Sequence, residues 1–144
     1  MDRDPKVRAV VVGCGNAGRS RIRSMLTEFR NTHITAVCEP SPEAYSETVD
    51  LFKANNRPVP PNEPDLERML DRYSSEVDVA FIVTPHALHC RQVKACLEAG
   101  IDVLVEKPMV MTADEARDLI ETRDRTGRLL VVAFQGSLSP YIRG

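Results

Sequence analysis

Nearly unbroken apolar runs recur at Val7 to Val12, Ile34 to Cys38, Val77 to Val83, Val103 to Val105 and Leu129 to Phe134, the first interrupted only by Arg8. A strand with one wet face alternates polar and apolar residues, whereas a strand that is apolar throughout is covered on both faces. Helical patterns lie between the runs. Ile22, Met25, Leu26 and Phe29 fall at i, i+3, i+4 and i+7, and Leu66, Met69, Leu70 and Tyr73 repeat that spacing. Strands that alternate with helices across short connections build a parallel sheet with right-handed crossovers and helices on both faces. The expected fold class is therefore α/β, with a doubly wound, mostly parallel six-stranded sheet. Its weakest member is a short third strand near Val59, because Asn55 to Pro64 carries Pro58, Pro60, Pro61 and Pro64 and reads as a surface excursion at the sheet edge.

Local end signals agree with this pattern. Ser41-Pro42 forms an N-cap and first-turn proline, Thr112-x-x-Glu115 a capping box, and Gly100 and Gly127 stand just past two helices. At 144 residues the chain fits one domain with a real core. A hydrophobic fraction of 42% and a net charge of -2 give no broad basic field, so nucleic acid is not an expected partner. No apolar run reaches the length of a membrane span, and Met1 to Lys6 lacks a signal-type apolar stretch, so no membrane partner and a cytoplasmic location are expected. Cys14, Cys38, Cys90 and Cys96 show neither zinc-knuckle nor disulfide spacing and read as free thiols.

Gly13-Cys14-Gly15-Asn16-Ala17-Gly18 follows the first run directly and opens the first helical pattern, the context a dinucleotide fingerprint requires. Gly13 is expected to make the tight turn, Gly15 to let a pyrophosphate approach the backbone, and Gly18 to let helix and strand pack closely. The exposed N–H groups at the helix start then hold the phosphate charge. Glu39 ends the second run, 21 residues after Gly18, where a carboxylate accepts from the adenosine ribose hydroxyls. That favours NAD over NADP, since a 2'-phosphate meets a like charge there and Pro40-Ser41-Pro42 offers no adjacent cation, although Arg19 stands close to the loop.

Thr84-Pro85-His86-Ala87-Leu88-His89 begins beside the same crevice. His86, His89 and Cys90 raise a metal site, but zinc needs at least three converging ligands and no second cluster completes the set, so no metal is expected. A histidine packed near the ligand pocket and a purely structural one remain the two readings. Glu106-Lys107-Pro108 closes the run beginning at Ile101. Strand alternation sends Glu106 and Lys107 to opposite sides, and a lysine at that strand end can take a proton during hydride transfer or hold a substrate hydroxyl. An exposed lysine of no function is the competing reading.

Taken in order, the glycine loop, Thr84-Pro85-x-x-x-His89, Cys96 to Val105 and Glu106-Lys107-Pro108-Met109 resemble the Gfo/Idh/MocA oxidoreductase family, from about Lys6 to about Arg143. The resemblance implies a Rossmann-type domain that binds NAD or NADP and acts on sugars, cyclitols or similar polyols. It implies that Gly13, Gly15, Asn16, Ala17 and Gly18 border the pyrophosphate and Glu39 the adenosine ribose. Thr84, Pro85 and His89 would border the nicotinamide side, Glu106 the nicotinamide ribose region, and Lys107 the substrate, with Lys107 and Pro108, the latter after a cis bond, also among the cofactor-binding residues. It further implies a C-terminal substrate domain that supplies most of the substrate pocket and a homo-oligomer interface, and that domain is not in this sequence. Residues 1–136 are therefore expected to form the dinucleotide-binding domain and 137–144 the start of a crossover, the chain being a fragment that binds dinucleotide but turns over nothing alone. The alternative to an enzyme is a non-catalytic dinucleotide sensor or regulatory subunit of the same fold, which would keep the loop without needing Lys107. A methyltransferase with a similar loop fits the lysine motif poorly.

Overall fold

The computed structural model describes residues 6–28 and 31–133. Its elements are β1 (Val7–Val12), α1 (Asn16–Thr27), β2 (Thr32–Cys38), α2 (Pro42–Ala54), α3 (Leu66–Tyr73), β3 (Val79–Ile82), α4 (His89–Glu98), β4 (Asp102–Glu106), α5 (Ala113–Thr126) and β5 (Leu130–Ala133). The sheet order is β2-β1-β3-β4-β5, and every pairing is parallel. From β1 the chain moves outward to β2 and then returns across β1 to start β3. Neighbouring connections thus diverge at the β1/β3 boundary, where open α/β sheets bind ligands.

The apolar runs of β1 to β4 are largely buried for the reason the sequence suggests, whereas β5, at the sheet edge, is not, Val131 and Val132 being exposed there. In β1, Ala9, Val10 and Val11 are fully buried, with Val10 and Val12 facing one core and Val11 the other. The first core takes Leu66 and Met69 from α3, Val93 and Leu97 from α4 and Leu119 from α5. The second takes Ile22 and Met25 from α1 and Phe52 from α2. Helices therefore cover both faces, and the stripe Leu66, Met69, Leu70 and Tyr73 is buried along its whole length. Phe29, from the other stripe, lies outside the described residues.

The capping signals hold in detail. Ser41 Oγ accepts from the Ala44 N–H at 3.2 Å, and Thr112 Oγ1 from the Glu115 N–H at 3.1 Å. Glu115 reaches back one residue further than a standard box, to the Met111 N–H at 2.8 Å. Gly100 and Gly127 both have positive φ at the helix ends.

One expectation is corrected: among the described residues the sheet has five strands, not six. In place of a strand near Val59 there is a single parallel bridge between Val37 and Asn62. The Val37 N–H donates to Pro61 O and the Glu63 N–H to Val37 O, both at 3.0 Å. Pro58, Pro60, Pro61 and Pro64 have no N–H, so the ladder cannot extend from that bridge. The segment 134–144, with the expected crossover and Phe134, lies outside the described residues. No helix among the described residues is long and apolar enough to cross a membrane.

Candidate functional site

In-register pairing aligns Val12 with Cys38 and with Ile82, and Ile82 with Val105, so the residues that follow emerge along one edge of the sheet. Gly13 turns there with φ +96°, and a Cβ on it would stand 2.5 Å from Val83 O and 2.9 Å from Thr84 Cγ2. A Cβ on Gly18 would overlap the Gly13 carbonyl oxygen. Gly15 is different, since a Cβ there would meet nothing within 4 Å. It is also the N-cap of α1, with no side-chain cap and no acidic residue in the first turn. The free N–H groups and positive dipole end of α1 therefore face open space, an arrangement that suits an anionic group such as a pyrophosphate.

That space belongs to a cleft of about 620 Å³. Gly13, Gly15, Asn16 and Ala17 line it from the loop, Glu39 from the end of β2, and Thr84 and Pro85 from the turn after β3. Glu39 is only 9% exposed. One of its carboxylate oxygens lies 3.4 Å from the Cys14 N–H, a long contact that leaves the group able to accept from a ligand. Its backbone is held by a residue that sequence reasoning missed. Asn62 Oδ1 accepts from the Glu39 N–H and Asn62 Nδ2 donates to the Glu39 carbonyl, both at 2.9 Å.

Asp65, Glu67 and Arg91 also line this cleft and were not singled out. Asp65 carried a readable signal as the N-cap of α3, where it accepts from the Arg68 N–H at 3.0 Å. Arg19 lines neither this cleft nor the smaller one beside Lys107. Its guanidinium donates to Cys14 O and Asn16 Oδ1 at 2.7 Å and pairs with Glu47 of α2 at 2.6 Å, which braces the loop against its neighbour helix. The Cys14 thiol in the loop is buried, and desolvation pushes it up to about 11, so it is protonated and a poor nucleophile at neutral pH.

A second cleft, of about 280 Å³, holds Lys107 and Glu106 together with Ser20, Arg21 and His86. Ladder pairing stops at Glu106, so Lys107 is the first residue beyond the sheet. The two do not neutralise one another. Glu106 pairs with Arg21, whose Nε donates to it at 2.6 Å, while Lys107 has no ion-pair partner among the described residues. The Lys107-Pro108 peptide is cis.

His89, Gly18 and Pro108 line neither cleft. Gly18 works from behind the loop. His89 is fully buried, with Nδ1 2.8 Å from the Pro108 carbonyl and Nε2 2.9 Å from the Thr84 carbonyl. A neutral imidazole donates to one such carbonyl and an imidazolium to both. Either way the ring links two site loops and has no face open to a ligand. Thr84 is held a second time, its hydroxyl donating to Gln92 Oε1 at 2.5 Å. Among the described residues no three His, Cys, Asp or Glu side chains converge on a metal position.

This geometry has close counterparts. The model of the Gfo/Idh/MocA family, described as an oxidoreductase family with an NAD-binding Rossmann fold, matches residues 7–134. A glycosyl hydrolase family 109 protein from Shewanella amazonensis is 33% identical over 125 residues, which are 85% of this chain and 27% of that protein. The chain thus spans about a quarter of the length of such curated relatives. Among solved structures, the WlbA dehydrogenase from Bordetella pertussis in complex with NADH and UDP-GlcNAcA aligns with a TM-score of 0.82 at 25% identity, covering 96% of this chain and 40% of that one. The scyllo-inositol dehydrogenase from Lactobacillus casei with bound NAD(H) and scyllo-inositol aligns with a TM-score of 0.83 at 20% identity, covering 96% and 39%.

Proposed function

We propose, from the premise that this chain belongs to the Gfo/Idh/MocA oxidoreductase family with its NAD-binding Rossmann fold, that it is the NAD(P)-binding part of an enzyme moving a hydride between nicotinamide and a sugar, cyclitol or related polyol. The observation that carries this reading is that the two clefts share a wall. Ala17, Val83 and Thr84 border both, so a ligand that runs from Glu39 across the open side of Gly15 arrives beside Lys107.

In this reading Glu39 accepts hydrogen bonds from the adenosine ribose, and the N–H groups around Gly15 hold the pyrophosphate. Thr84 and Pro85 form the wall on the nicotinamide side, and Glu106 borders the nicotinamide ribose. The bound nicotinamide supplies the hydride acceptor or donor. Lys107 handles the proton: as the free amine it accepts from the reacting hydroxyl, and as the ammonium it returns a proton to the carbonyl oxygen. The remaining walls of the substrate pocket, the choice of substrate and a homo-oligomer interface belong to the part of the relatives' length that this chain does not span, so the chain alone binds dinucleotide without turnover.

The experiment is Lys107→Ala in the protein at its full natural length. Turnover is expected to fall by about 10²- to 10⁴-fold, the usual contribution of a general acid or base. NADH affinity stays nearly constant, because the lysine faces substrate. Unchanged turnover would remove Lys107 from the chemistry and leave the sensor reading standing. The Glu39 carboxylate, placed to meet a 2'-phosphate with like charge, favours NADH over NADPH, so NADH is expected to give the larger thermal shift, and a larger shift with NADPH overturns the role of Glu39. The curated relatives named as glycosyl hydrolases support a second reading, in which the full-length protein cleaves a glycosidic bond. Net NADH formation from a polyol supports the first, and glycoside cleavage without net NADH supports the second.

A further inference from the structure

Lys107 itself is unpaired among the described residues, yet the residues on either side of it are tied down. On one side Glu106 accepts from Arg21 Nε at 2.6 Å, and Arg21 lies in the second turn of α1. On the other side the Pro108 carbonyl meets His89 Nδ1 at 2.8 Å, and His89 is the first residue of α4. The two helices pack on opposite faces of the sheet, so the short segment between them is gripped from both layers.

We propose that Arg21 and His89 are positioning residues that fix the Glu106–Pro108 segment, so that Lys107 is presented at one place beside the nicotinamide end of the cofactor. The proposal rests on the cofactor reading above. A lysine side chain is long and freely rotating, so its amine is placed reproducibly only if the backbone at its root does not move. Both links are sheltered from water. His89 is fully buried, and the side chains of Arg21 and Glu106 are 33% and 18% exposed.

His89 also refers the segment back to the phosphate loop. Its Nε2 meets the Thr84 carbonyl at 2.9 Å, and Thr84 Cγ2 closes on the space where a Gly13 Cβ would stand. The lysine segment, the turn after β3 and the glycine loop therefore form one chain of contacts. The turn after β3 thus gives the lysine segment a fixed reference, and small displacements of a reacting group are costly to its chemistry.

The test compares NADH with ADP, which lacks both the nicotinamide and its ribose, as ligands of the wild-type chain and of Arg21→Gln, His89→Gln and the double variant. ADP affinity is expected to stay within about twofold, and NADH affinity to fall about fivefold to tenfold in each single variant, because Glu106, which borders the nicotinamide ribose, moves with the segment when one sheltered hydrogen bond is lost. The loss in the double variant is expected to be smaller than the product of the singles, because both act through one segment. Arg21→Lys, which keeps the charge, is expected to recover part of the NADH affinity. Equal losses for both ligands, or no loss for NADH, overturn the proposal. If His89→Gln melts too early to titrate, Arg21→Gln on the helix surface carries the same expected ratio. A wild-type chain that binds neither ligand instead sinks the cofactor reading itself.

Discussion

Gly13 and Gly15 are two residues apart in the same loop and answer to different constraints. At Gly13 the backbone has φ +96°, and an added Cβ would press on the Val83 carbonyl, which belongs to the main chain and cannot rotate away. Gly13→Ala is therefore expected to cost about 2–4 kcal/mol of folding stability, from backbone strain plus a clash in a packed site. At Gly15 the backbone has φ -68°, and the added methyl would meet nothing within 4 Å. Gly15→Ala is expected to change stability by less than about 1 kcal/mol, since the residue is conformationally unstrained. Its methyl nevertheless fills the side from which a pyrophosphate approaches, so NADH affinity should drop at least about tenfold, the effect of blocking a close backbone contact. Urea melts and NADH titrations of the two variants decide the matter. A Gly15→Ala chain that binds NADH as well as wild type would show that the pyrophosphate does not lie across this loop.

At the scale of elements, the segment between α2 and α3 shows how a side chain can stand in for a strand. Asn62 offers one acceptor and one donor to the backbone of Glu39, the pairing a neighbouring strand would otherwise make. Asn62→Ala removes both bonds and is expected to cost about 1–3 kcal/mol, at roughly 1 kcal/mol for each bond with an added penalty if a donor is left unmet. It should also weaken NADH binding, because Glu39 loses its anchor. A fluorescence-monitored denaturation series checks the first effect, and an unchanged midpoint would reduce Asn62 to a surface residue. Such pairings explain where sequence reading stops. The caps at Ser41 and Thr112 and the stripe from Leu66 to Tyr73 are legible because each is written within one helical turn or two. The five strand positions are legible because their runs are apolar on both faces. The bridge at Asn62 was expected as a strand, because proline content reveals where a ladder cannot run but not which side chain replaces it. Likewise the loop and Lys107 are readable as motifs, whereas the Arg21–Glu106 pair joins residues 85 positions apart, and the two carbonyl contacts of His89 depend on where separate loops settle.

For the whole molecule, the sheet separates two cores, and each contains a buried thiol whose titration reports on folding. Cys14 lies on the side of α1 and α2, while Cys38 and Cys96 lie on the side of α3, α4 and α5. Burial pushes Cys14 from the ordinary 9.0 up to about 11, and Cys38 and Cys96 up to about 12, since removing a proton would leave a thiolate away from water. In each case the folded state keeps its proton at pH values where the unfolded chain has lost it. The linkage therefore runs one way. The contribution is fully present below pH 9.0 and disappears as pH rises toward the folded values near 11 and 12. Between those limits each thiol should lower stability by up to about 1.4 kcal/mol per pH unit, whichever core it occupies. If the two layers unfold together, Cys14→Ala and Cys38→Ala should each remove one such increment from the slope of unfolding free energy against pH above 9.0. Denaturant melts at half-unit pH steps measure those slopes. A slope that responds to Cys38→Ala but not to Cys14→Ala would mean that the layer carrying the glycine loop opens separately from the layer carrying α4, and that the cofactor loop is the less stable half of the domain.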